Sequence, residues 1–207
     1  IVAADGNAYD YKGGKLVDLK GKETSGVKVL DSTGKEVDAK DGVKLPQLVI
    51  TVKGIPDKWS DGEKVKKADN ELGYKINCDK DSGQTNYSIC DRTTKVEFVD
   101  DLTTIITCAP GYLTPIYFLS GFGAYPSHQA IKSKGPYEGK KLSEVAAKDF
   151  GTLLEIAETP LGAGPYVMTK WENGQRMQFE ANKNYFKGEP KVKKIVIQFF
   201  GDTNGAV

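Results

Sequence analysis

The sequence predicts a mixed α/β fold of the α+β kind, with antiparallel pairing prominent. Three observations lead there. Strands of alternating or β-branched residues recur, as in "QLVITV", "TKVEFV", "LTTIITC" and "KKIVIQFF". Apolar residues at helical spacing are confined to two segments, Val65–Ile76 and the run "KKLSEVAAKDFGTLLEIAE". Twenty-three glycines and nine prolines separate these pieces, so the connections are mostly turns.

Taken in order, residues 1–46 are rich in Gly, Lys and Asp, and read as short strands and loops. Gln47–Val52 is a β-branched strand that ends at Gly54–Pro56. Apolar residues at Val65, Ala68, Leu72 and Ile76 predict an amphipathic helix, weakened by Gly73. "TKVEFV" and "LTTIITC" flank Asp100–Asp101 and predict a hairpin. The aromatic stretch Tyr112–Tyr125 is too interrupted by Gly and Pro for one long element. In "YPSH" the simplest role for Ser127 and His128 is to cap a helix starting near Gln129. The segment from Lys140 to Glu158 reads as helix, with Ser143 as a cap and Gly151 as an interruption. "PYVMTKW" and "RMQFEAN" form a second hairpin, where Asn173–Gly174 suits a type I′ turn. "KKIVIQFF" is a last buried strand.

Composition excludes several functions. Lys plus Arg number 29 against 28 Asp plus Glu, and only Arg92 and Arg176 are arginines. The lysines are interleaved with acids, a solvated surface without the basic face and arginine forks of a nucleic-acid reader. No apolar run reaches the roughly 18–20 residues of a membrane span. A phosphate cradle is excluded too: Gly162-Ala163-Gly164 precedes Pro165, Val167 stands where a third glycine belongs, and strand rather than helix follows. The loop "DKDSGQTNYSIC" begins like a calcium loop at Asp79 and Asp81, but Cys90 replaces its closing Glu. With His128 as the single histidine, no His-rich metal site can form, and no base stands opposite a nucleophile. These observations predict no cofactor, no metal and no enzyme. Cys78 and Cys90 bracket the polar loop, which permits a disulfide in an oxidising compartment; three separate thiols, with Cys108, are the alternative. The aromatics of residues 112–125 either pack a core or line a cleft.

Two stretches carry a family resemblance. "GAGPYVMTKWENGQ", followed by "NKNYFKGEP" and a strand leading to Asp202 and Ala206, resembles the signature of family 5 extracellular solute-binding proteins. Gly162, Gly164, Pro165, Tyr166, Trp171, Gly174, Asn182, Tyr185, Gly188 and Pro190 fall on that pattern. "KWSDGEKVKKAD", Lys58–Asp69, resembles the family's W-S-D-G segment, with Lys66-Lys67 in place of its usual Thr-Ala. The resemblance spans about 46–207 and implies a periplasmic-binding-protein-like lobe, part of a two-lobed receptor. It assigns 1–55 and 160–207 to a sheet-centred subdomain and 56–159 to a smaller inserted one, with the second lobe outside this chain. It implies extracytoplasmic capture of a solute, most often a peptide, and delivery to the permease subunits of an ABC importer, by a periplasmic or cell-surface lipoprotein parent. By the same resemblance Tyr117, Phe122 and Tyr125 face the ligand cleft and "GAGPY" is an architectural turn. A structural or protein-contact module with no small ligand is the rival reading.

Overall fold

The computed structural model describes residues 1–12, 15–54, 56–113 and 121–201. They fall into two compact units. The first comprises Ile1–Lys53 and Thr85–Gly121, and the second Gly54–Gln84 and Phe122–Val207. Here 1–53 groups with 85–121; the subdomains 1–55 with 160–207 and 56–159 stay what the family resemblance implies. Strand alternation announces a strand but not its neighbour, and the neighbour decides the grouping.

In the first unit, strands β1 (Tyr9–Lys12), β2 (Lys15–Asp18) and β3 (Glu23–Thr24) form an antiparallel sheet in the order β1-β2-β3. β4 (Lys28–Leu30) and β5 (Glu36–Asp38) form a hairpin. β6 (Val49–Lys53) pairs along its whole length with β8 (Thr103–Cys108), which pairs on its other side with β7 (Thr93–Phe98). β8 is thus central, and its period-two pattern buries Thr104, Ile106 and Cys108. Arg92 ties this unit together. Its guanidinium donates to the Gly6 carbonyl at 2.9 Å and lies 5.3 Å from the Tyr112 ring centroid. A four-residue helix, α2 (Ser88–Asp91), precedes β7.

The second unit is built on helix α1 (Lys67–Cys78), which begins two residues later than the apolar spacing suggests. Leu72 and Ile76 of α1 pack into a core with Ile131, Leu142, Val145, Ala147, Phe150 and Leu153. The expected helix at 140–158 is three short pieces: a 3₁₀ turn at Leu142–Glu144, α3 (Ala147–Phe150) and α4 (Leu154–Ala157). Extended backbone at Val145 and Ala146, and again at Leu153, breaks the run. Ser143 does not cap it; Glu144 Oε2 accepts instead from the Lys141 N–H at 2.7 Å. Nor does a helix start at Gln129, because this stretch turns at 127–128 and then bridges Ala130 to Lys141. The Ser127 N–H is occupied by Asp69.

β9 (Tyr166–Glu172), β10 (Arg176–Ala181) and β11 (Lys194–Gln198) complete this unit as an antiparallel sheet in the order β11-β10-β9. The β9–β10 turn is not type I′. Only Gly174 has positive φ, 71°, while Asn173 does not, and the Gln175 N–H donates to the Glu172 carbonyl at 2.9 Å. Positive φ at the third turn residue alone is the demand that glycine meets there. β11 also departs from expectation: Val196 is 49% exposed and Ile197 45%, so this strand is not buried.

Candidate functional site

The residues that carry the sequence motifs converge in the second unit through buried hydrogen bonds. Asp69 stands in the first turn of α1 and is wholly buried. Its Oδ2 accepts from the Trp59 indole N–H at 2.8 Å and from the Lys66 N–H at 2.9 Å. Its Oδ1 accepts from the Ser127 N–H at 2.8 Å, and its carbonyl from the Tyr125 N–H at 3.1 Å. One carboxylate therefore fixes the W-S-D-G loop, the start of α1 and the 125–127 segment. A buried charge is tolerable when it is hydrogen-bonded in this way.

A second junction joins the other motifs. The Ser60 N–H donates to the Gly162 carbonyl at 2.8 Å. Asn182, almost fully buried, donates its side-chain amide to the Gly164 carbonyl at 2.8 Å and its backbone N–H to the Pro165 carbonyl at 2.9 Å. Asn182 Oδ1 accepts from the Asn184 N–H, whose side-chain amide reaches the Ser60 carbonyl at 3.0 Å. "GAGPY", "NKNY" and "WSDG" thus lock to one another through these bonds, while the buried Ser60 hydroxyl has no partner.

The aromatic segment 122–125 crosses α1 at Gly73. Gly73 makes the crossing possible, since a Cβ there would lie 1.7 Å from the Gly123 carbonyl oxygen. Phe122 stands edge-on to Tyr74 of α1, with centroids 4.9 Å apart and planes at 72°, and both rings are half-buried. Tyr125, three residues after Phe122, stands edge-on to Phe150 at 4.9 Å and packs against the core. Tyr117 lies outside the described residues. Asp69 and Asn182 fall on the motifs, while Tyr74 is the organising residue that motif spacing does not single out. An acid in the first helical turn, ten residues after a tryptophan, was the available sign of Asp69.

His128 Nε2 lies 3.0 Å from Asp61 Oδ2, but its Nδ1 has no partner, so no hydroxyl or thiol is hydrogen-bonded to this imidazole. Burial pushes the Cys108 thiol up, against nucleophilic use. Cys78 and Cys90 are disulfide-bonded. No group of three or more His, Cys, Asp or Glu among the described residues is placed to hold a metal ion. No helix among them is long and apolar enough to cross a membrane. A cavity of about 320 Å³ in this unit is lined by Ile131, Tyr137, Asp149 and Leu153 among others. Neither Phe122 nor Tyr125 lines it, and its Tyr137 hydroxyl already donates to Asp149 at 2.8 Å.

Comparison with known proteins identifies this arrangement. The family described as bacterial extracellular solute-binding proteins, family 5 Middle, matches residues 57–207. A putative ABC transporter peptide-binding protein of Brucella ovis is 26% identical over 161 residues, covering 78% of this chain and 28% of the relative. In fold, the chain is similar to the oligopeptide-binding protein AppA of Bacillus subtilis, solved with a nonapeptide (TM-score 0.61, 21% identity, 86% of this chain and 34% of AppA). It is also similar to NikZ of Campylobacter jejuni, solved with Ni(L-His) (TM-score 0.53, 18% identity, 99% of this chain and 37% of NikZ). The chain thus spans between a quarter and two fifths of the length of these proteins. A family match over well more than half of its residues, together with the fold these neighbours share, places the chain among the bacterial extracellular solute-binding proteins of family 5.

Proposed function

We infer that this chain is part of a non-catalytic receptor that captures a peptide outside the cytoplasm and hands it to an ABC transporter permease. The observation that carries this reading is the match over 78% of the chain to a relative named as an ABC transporter peptide-binding protein. The chemistry agrees with capture without catalysis. Trp59, Asp69 and Asn182 are held in internal hydrogen bonds, and the one imidazole–carboxylate contact has no nucleophile attached. The disulfide-bonded Cys78 and Cys90 suit an oxidising, extracytoplasmic compartment. Both compact units belong, in this reading, to the first lobe of a two-lobed receptor.

Phe122 is the described aromatic best suited to touch a ligand, because Tyr74 holds its ring edge-on while leaving part of it exposed. Tyr117 and Tyr125 stand with it on the same segment. Tyr125 acts chiefly by anchoring that segment to Phe150. Peptide backbone is gripped by main-chain hydrogen bonds, and rigid rings add contact area at small entropic cost.

Calorimetric titration with a peptide library tests the reading. The complete gene product is expected to bind a peptide, and the 207-residue chain to bind the same peptide no tighter than about millimolar. Phe122→Ala in the complete product should weaken binding about 5- to 10-fold, while loss of the ring pair with Tyr74, about 0.5–1.5 kcal/mol, lowers its melting temperature by only a few degrees. Micromolar binding by the 207-residue chain alone, or no peptide bound by the complete product, overturns it.

A further inference from the structure

In the second unit, the loop 131–137 and the segment 149–154 line the cavity of about 320 Å³. Its walls are preformed. Glu155, buried, accepts from the Lys132 and Ser133 N–H groups at 2.8 and 2.9 Å and from the Ser133 hydroxyl at 2.9 Å. The Tyr137 hydroxyl donates to Asp149 Oδ2 at 2.8 Å, and the Lys140 ammonium lies 5.3 Å from the centroid of the same ring. The Thr152 hydroxyl donates to the Asp149 carbonyl at 2.7 Å. Walls held at this many points lose little freedom when a ligand arrives.

Those bonds engage the hydroxyl hydrogens of Ser133, Tyr137 and Thr152. Two lining groups are left over. Among the described residues neither the Lys134 ammonium nor Asp149 Oδ1 has a hydrogen bond or ion pair, and the two do not pair with each other. Ile131 and Leu153, both buried, and the exposed Leu154 supply apolar wall. The open inventory is therefore one cation, one anionic oxygen and an apolar surface. A ligand with a carboxylate for Lys134, an ammonium for Asp149 and an apolar side chain answers all three and brings in no net charge. A ligand with a single charge leaves one of the two groups unmet. The volume stands at the lower end of the range for ligand cavities, about 300–1,000 Å³, which suits a small molecule.

We propose that this cavity binds a free α-amino acid with an apolar side chain, its carboxylate on Lys134 and its ammonium on Asp149. The site goes beyond the functional reading, since neither Phe122 nor Tyr125 lines it.

Methyl NMR of the complete gene product, labelled at isoleucine and leucine, tests this with L-leucine as the probe. The Ile131, Leu153 and Leu154 methyl signals should shift saturably, with half-saturation at about 1–10 mM or below. Leucinamide lacks the carboxylate and N-acetyl-leucine the ammonium, so each should need at least about tenfold more. Lys134→Gln and Asp149→Asn should weaken L-leucine by a similar factor. Lys134 is exposed, and an asparagine oxygen can still accept from Tyr137, so neither change should move the melting temperature by more than about 2 °C. Shifts that fail to saturate, or that leucinamide and N-acetyl-leucine produce equally well, overturn the proposal and make the cavity a solvated crevice. So do saturable shifts that both substitutions leave unchanged, which would put the amino acid at another site. Peptide capture is read separately: its loss with these methyl shifts intact sinks the functional reading alone, and the reverse sinks the amino-acid site alone.

Discussion

Gly73→Ala sets two effects of known size against each other. Removing a glycine from the interior of α1 should stabilise the helix by about 1 kcal/mol. The added Cβ, however, would stand 1.7 Å from the Gly123 carbonyl oxygen and 2.8 Å from its carbon, where ordinary contact needs well over 3 Å. These are backbone atoms, so relief requires the 122–125 segment to lift from the helix by more than an ångström. Lifting it breaks the Tyr125 N–H bond to the Asp69 carbonyl, worth about 1 kcal/mol. It also loosens the Phe122–Tyr74 and Tyr125–Phe150 ring pairs, about 0.5–1.5 kcal/mol each. Residual overpacking adds roughly 1–3 kcal/mol. The losses win, and the net destabilisation is about 2–6 kcal/mol. At roughly 2–4 °C per kcal/mol for a chain of this size, melting followed by far-ultraviolet circular dichroism should fall by about 5–20 °C. Gly123→Ala is the control, since a Cβ there meets nothing within 4 Å. A Gly73→Ala variant that melts at or above the parent would show that the segment does not cross α1 at this point.

Two further expectations concern charge. Asp69→Asn keeps one acceptor oxygen but turns an NH₂ toward either the Trp59 and Lys66 donors or the Ser127 donor, so at least one buried donor loses its acceptor. The cost is about 2–4 kcal/mol, read as a lower melting temperature with a changed near-ultraviolet signal from Trp59; a melt within about 2 °C of the parent would refute it. Glu172 lies beside Arg176 and Lys170, whose hydrogen bonds lower its pKa to about 2 from the usual 4.5. A folded value below the unfolded one stabilises above pH 4.5, and that contribution disappears as pH falls from 4.5 toward 2. The melting-temperature gap between the parent and Glu172→Gln should close across that window, and a gap constant from pH 6 to pH 2.5 would contradict it.

The elements legible in the sequence are those whose pattern is local. β6, β7 and β8 announce themselves by β-branching and alternation, and α1 by apolar residues three and four apart. What the pattern conceals is partnership. Gly73 reads locally as a weak point in a helix, and only the approach of Gly123, fifty residues on, makes it a requirement. The 140–158 run has helical spacing, but the short pieces bend to bury Leu142, Val145, Phe150 and Leu153 in one core. Tertiary packing outweighs propensity there. Asn173–Gly174 signals a turn without fixing which residues take positive φ. β11 has the composition of a buried strand, and the structure leaves it exposed at a sheet edge.

The same distinction explains why the family is legible and the ligand is not. Trp59, Asp69, Gly164, Pro165 and Asn182 satisfy one another through bonds between 2.8 and 2.9 Å. Replacing Trp59, Asp69 or Asn182 removes a side-chain partner and strands a donor or acceptor, at about 1–3 kcal/mol each. Such residues tolerate few alternatives, so they leave a pattern that sequence can reveal. A ring such as Phe122 is held by one edge-to-face contact and is half-exposed. Many side chains would serve there at little cost to folding, and in the proposed reading each would present a different surface to a solute. The groups to which that reading gives the choice of ligand are thus the ones the fold constrains least, which is why motif spacing identifies the scaffold before the substrate.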